Sequence, residues 1–137
     1  GRLIIQTSSQ KQLTDGFWWA DLIPEAVKKI SKRFMPIPEI YTNLEIIGFK
    51  NFGEDVLDEV VQGEAYLDYT GVFREDWRAG DSTWSLTTPI ELKNAQARVR
   101  EMIDNDKIKD YMNQREKLRK QYGQIMFVSA TKIRQPI

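Results

Sequence analysis

The run Leu3-Ile4-Ile5, followed at once by Thr7-Ser8-Ser9, constrains this chain more than any other feature. Successive side chains of a strand point to opposite faces, so three apolar residues in a row ask for cover on both sides. That reading predicts a doubly buried strand in a sheet layered with helices, as in parallel α/β sheets. The chain starts almost inside this strand, which leads to the expectation that it is the later part of a larger domain.

The rest of the chain alternates in kind. Pro24 suits the first turn of a helix, and Ile23, Ala26, Val27, Ile30 and Phe34 recur at helical spacing until Met35-Pro36-Ile37-Pro38 breaks it. A second helix is predicted from Glu39 to Ile47, closed by Gly48 in a left-handed cap with Phe49 beside it. Phe52 and Val56 to Val61 are read as a strand. Ser8 to Gly16 reads as a polar loop, and Ala65 to Ser85 has no period. Thr88-Pro89-Ile90-Glu91 carries the signature of a helix start, with a buried stripe of Leu92, Ala95, Val99, Met102 and Ile103 beyond it. Asn105-Asp106 interrupts, and a further helix from Lys107 to Tyr122 turns Ile108, Tyr111, Met112, Leu118 and Tyr122 inward until Gly123 ends it. Ile125 to Val128 is the last apolar strand, and Ile133 to Ile137 a tail. The order is that of a single α/β domain over residues 1–137.

Composition removes several classes of function. Lys plus Arg and Asp plus Glu are 20 each, so the net charge is zero and nothing favours nucleic acid or an anionic membrane surface as partner. Cys and His are both absent, which leaves no disulfide, no thiolate nucleophile and neither of the commonest metal ligands. No metal site is expected, and the composition suits a cytoplasmic protein. Arg115, Lys117, Arg119 and Lys120 read as a solvated helix face whose charge complements the helix dipole.

The blocks, taken in order, resemble class I S-adenosylmethionine-dependent methyltransferases. Gly1-Arg2-Leu3-Ile4-Ile5 with Thr7-Ser8-Ser9 is similar to their fifth strand. Arg33-Phe34-Met35-Pro36 and Leu44-Glu45-Ile46-Ile47-Gly48-Phe49 are similar to the helix ending before the sixth. Tyr122 to Lys132 is similar to the last strand, which in that fold runs antiparallel between the fifth and sixth. The resemblance implies the carboxy-terminal half of a partial Rossmann-like sheet, with residues 65–122 as a helical insertion. The family's glycine-rich turn and ribose-binding carboxylate have no counterpart here, so S-adenosylmethionine is not expected to bind this chain alone. The partners implied are a small-molecule methyl acceptor, the preceding half of the domain, and a second copy held through an exposed strand edge.

Several residues are candidates for binding. Ser8 and Ser9 follow the first strand, where open α/β folds place ligands, although polar residues also dominate ordinary turns. Trp18 and Trp19 are adjacent, and neighbouring side chains on a regular element diverge, so one of them is expected to face a pocket or partner while core burial is the other reading. Tyr69, Trp77, Arg78 and Trp84 lie in the aperiodic segment, read either as a substrate lid with Arg78 as anion clamp and Asp76 or Asp81 as base, or as a loop packed over the sheet. No catalytic residue is assigned, and the isolated chain is expected to be inactive. The rival reading is a free-standing α/β interaction domain that uses Trp18, Trp19 and Trp84 as partner anchors.

Overall fold

The structure is a computed structural model that describes residues 1–132; the predicted tail from Ile133 to Ile137 lies outside the described residues. Three strands, β1 (Arg2–Thr7), β2 (Phe49–Val56) and β3 (Met126–Lys132), form one sheet in the order β1-β3-β2. β3 is antiparallel to both neighbours, with Ile5 opposite Val128 on one side and Glu54 opposite Val128 on the other. β1 and β2 therefore run parallel to each other. Between them the chain passes through α1 (Gln10–Asp15), α2 (Pro24–Ser31) and α3 (Ile37–Ile46). After β2 come three short 3-10 turns and the single-turn helix α4 (Glu75–Arg78), then α5 (Pro89–Asp104) and α6 (Ile108–Tyr122).

β1 is a strand, but it is not covered on both faces. Its burial alternates residue by residue, and Ile4 is 58% exposed. Leu3 and Ile5 join Met126, Val128 and Ala130 on the face that packs against Ile37, Ile40 and Leu44 of α3. The opposite face presents Arg2, Ile4, Gln6 and Thr131 to solvent. The physical reason is plain: one helix covers one face of this sheet, so burial follows the pleat. β2 is broken by a register shift between Lys50 and Gly53, where Asn51 takes a positive φ of 57°.

The polar stretch from Ser8 to Gly16, expected as a loop, contains α1. Ser9 is its N-cap: the Ser9 side chain accepts from the Gln12 amide at 3.1 Å, and the Gln12 side chain accepts from the Ser9 amide at 2.9 Å. This reciprocal box satisfies two amide donors at the helix start. The helix stops at Gly16, where a side chain would collide with the Gly123 carbonyl. That close approach of two backbone segments ties α1 to the end of α6.

The larger core joins residues 17–27 to residues 66–112. Phe17, Trp18, Trp19, Ala20, Leu22, Ile23, Ala26 and Val27 pack with Tyr66, Val72, Trp77, Trp84, Ala95 and Val99. Residues 65–122 supply about half of this core. α5 begins as its sequence predicts, with Thr88 accepting from the Glu91 amide at 3.2 Å. The Glu91 carboxylate, however, turns away from its own helix to α2, where it accepts from the amides of Glu25 and Ala26. α6 is also richer in inward contacts than a solvated basic face allows. Arg115 donates to the carbonyls of Thr14, Phe17 and Trp18 at 2.6 to 3.2 Å, and Arg119 is buried in an ion pair with Glu116. Only Lys117 and Lys120 of that run stand in solvent.

Candidate functional site

The turn after α1 explains why both adjacent tryptophans are buried. Residues 17–19 belong to no regular element, so the rule that neighbours diverge does not apply, and Trp18 and Trp19 are 0% and 1% exposed. Trp18 donates its indole N–H to the Tyr66 carbonyl at 2.5 Å, and its backbone amide donates to the Tyr66 hydroxyl at 2.6 Å. Burial among these groups raises the Tyr66 hydroxyl pKa, which keeps it neutral. Both rings are packed into the core.

The four indoles form one continuous path. Trp18 and Trp77 lie 6.1 Å apart between ring centroids, Trp77 and Trp84 5.8 Å, and Trp84 and Trp19 5.5 Å. Trp77 donates to the Ala65 carbonyl at 2.7 Å. Among the described residues, the indole N–H groups of Trp19 and Trp84 are buried without an acceptor. Unpaired buried donors are uncommon and cost on the order of 1–3 kcal/mol each.

The polar candidates divide. Ser8 is buried and donates its hydroxyl to the Gln124 carbonyl at 2.7 Å, and Ser9 is spent on capping α1. Both are structural contacts between β1, α1 and the approach to β3, where Gln124 also accepts the Val61 amide at 2.8 Å. Tyr69 lines a separate cleft with Met112 and Glu116. No family model, curated protein or solved structure matches this chain. The site therefore has to be read from its own geometry.

Arg78 and Trp84 do come together. They line one cleft of about 290 Å³ with Glu75, Ala79, Asp81, Ser82 and Ser85. α4 carries Glu75 and Arg78, three residues apart and so on one face of the turn. Asp81 accepts the Thr83 amide at 2.8 Å and so starts the 3-10 turn from Ser82 to Leu86 that carries Trp84. Arg78 is half-buried and donates to the Val72 carbonyl at 2.9 Å, and among the described residues no carboxylate lies within ion-pair reach of it. Asp76, the other acid considered as a base, stands outside this cleft and faces Arg74 at 3.8 Å. Glu75, Ala79, Ser82 and Ser85 are lining residues that the sequence candidates did not include; for Glu75, the spacing of three from Arg78 is the signal that points to it.

These residues can bind and orient, since a guanidinium offers a carboxylate or phosphate two parallel donors. Among the described residues the glycines with positive φ, Gly48, Gly63 and Gly123, stand singly at separate turns. Among the described residues no helix is long and apolar enough to cross a membrane.

Proposed function

We propose that this chain is the substrate-side portion of an S-adenosylmethionine-dependent methyltransferase acting on a small molecule, and that it is inactive alone. The observation that carries the reading is the strand order. Two parallel strands joined through helices, with a final strand slotted antiparallel between them, is the arrangement expected of the fifth, sixth and seventh strands of that fold. The open face of β1, and an outer edge with no partner strand among the described residues, agree with a sheet that continues beyond it. On this reading the chain's own residues bind and position the acceptor, and the cofactor is held by the preceding half. Alignment of acceptor and methyl group is then the main catalytic contribution, which needs neither His nor Cys. A lone copy with such an edge also pairs with a second copy.

The test has two arms. The coding sequence upstream should specify a strand, a glycine-rich turn and a helix, and the longer product should bind S-adenosylmethionine by titration calorimetry. The 137-residue chain should show no saturable binding. Micromolar binding by the short chain, or none by the longer product, overturns the proposal.

The rival interaction-domain reading loses its anchors, because Trp18, Trp19 and Trp84 are all buried.

A further inference from the structure

The arginines of this protein are mostly accounted for. Arg74 faces Asp68, Arg98 faces Asp21, Arg119 faces Glu116, Arg115 holds three carbonyls, and Arg100 lies over the Phe73 ring. Arg78 is different. It is half-buried, it touches one neutral carbonyl, and it lines a cleft whose other charged residues, Glu75 and Asp81, do not reach it. Trp84, buried with its indole N–H unsatisfied, lines the same cleft.

We propose that this cleft binds a small zwitterion of the α-amino-acid type, with its carboxylate on the Arg78 guanidinium and its ammonium toward Glu75 and Asp81. A guanidinium without a counter-ion matches a carboxylate through two parallel donors. Glu75 and Asp81 beside the one arginine give the cleft both signs of charge, and the two acids repel a phosphate dianion. A ligand with separated opposite charges satisfies both walls. Ala79, over the buried Trp84, supplies apolar surface for its carbon skeleton, and Ser82 and Ser85 add polar groups to the lining. The volume of about 290 Å³ stands at the small end of ligand pockets and restricts the occupant to a small molecule. The inference concerns binding alone and does not depend on the methyl-transfer reading.

The experiment is a nitrogen-15 NMR titration of the full 137-residue chain. The standard amino acids are added one at a time, with acetate and methylammonium as the two half-ligands. At least one amino acid should shift the Trp84 indole and Arg78 side-chain signals saturably, and each half-ligand should bind about tenfold more weakly or worse. Arg78→Gln should abolish the titration. Glu75→Gln, a change at an exposed residue, should weaken binding about two- to fivefold. Unmoved Trp18, Trp19 and Trp77 indole signals show that each variant is folded. The proposal is overturned if no amino acid gives a saturable shift, if acetate or methylammonium binds as tightly as the best amino acid, or if Arg78→Gln leaves the titration unchanged. Should Arg78→Gln collapse the indole spectrum, Glu75→Gln decides, and an unchanged affinity for the zwitterion then overturns the proposal.

Discussion

Glu91, the third residue of α5, accepts a hydrogen bond from the Ala26 amide at 3.0 Å and so caps a helix 65 residues earlier in the chain. It takes the Glu25 amide as well, at 2.7 Å. The start of α2 has no side-chain cap of its own, because Ile23 stands at the N-cap position and Pro24 follows. A carboxylate at a helix N-terminus satisfies free amides and complements the dipole. One residue therefore fastens two helices that share no local sequence.

Glu91→Ala should destabilise the protein by about 2 kcal/mol, the sum of a lost cap and amides left short of partners. Glu91→Gln should cost less, since its amide oxygen still accepts. Urea unfolding followed by circular dichroism measures both; a negligible loss for Glu91→Gln would show that the charge contributes nothing, and a loss equal to that of Glu91→Ala would show that a neutral acceptor cannot replace the carboxylate.

Arg115 should be less replaceable than its surface position on a basic run suggests. It donates to three carbonyls around the turn that carries the tryptophan pair. Arg115→Ala should cost on the order of 2–3 kcal/mol, and Arg115→Lys should recover only part of it, because an ammonium cannot span three acceptors in a planar fork. By contrast, Lys117→Ala, at an exposed position on the same helix, should change stability by less than about 0.5 kcal/mol.

How much of this was legible in the sequence depends on where the signal lay. Pro24, Thr88-Pro89 and Gly48 mark element ends through local backbone chemistry, and the structure places helix boundaries beside each of them. The antiparallel pairing of β1 with β3 follows the family-like block order. α1 was hidden because its box, Ser9 with Gln12, sits in a polar stretch with one buried aliphatic side chain, Leu13. The one-sided burial of β1 was hidden because Ile4 is as apolar as its neighbours, and only the missing cover distinguishes it. The uses of Glu91 and Arg115 depend on partners 65 to 101 residues away, which no local pattern encodes.

Tyrosine ionisation should limit alkaline stability. Tyr111 is pushed up to about 12 chiefly by burial, with the Asp21 charge adding to it, and Tyr41 is pushed up to about 12 by burial and its hydrogen bond to Glu54. Burial raises Tyr66 as well. A raised pKa in the folded state means that the unfolded chain loses these protons first. Stability is therefore unaffected below pH about 10 and falls as pH rises from there toward 12. Ultraviolet difference titration should show these hydroxyls ionising late and together with unfolding. A normal, reversible titration of all tyrosines near pH 10 in the folded protein would contradict it.

Self-association through β1 should be visible in solution. β1 is an edge strand, and Ile4 projects from the uncovered face. Light scattering over a range of concentrations should rise above the 16.0 kDa monomer, and Ile4→Lys should lower the mass again, since charges on edges oppose pairing. A constant monomer mass at the highest concentration would rule this out.

All four tryptophans of the chain sit in the larger core, and the sheet with α3 has none. With neighbouring centroids 5.5 to 6.1 Å apart, excitation of one indole passes readily to the next, so intrinsic emission reports the cluster as a single chromophore. The sheet half is optically silent in that channel. Fraying of β1 or β2 ahead of the aromatic half would leave the emission unchanged while amide exchange across β3 accelerated, and the two methods would then return different unfolding midpoints for one protein.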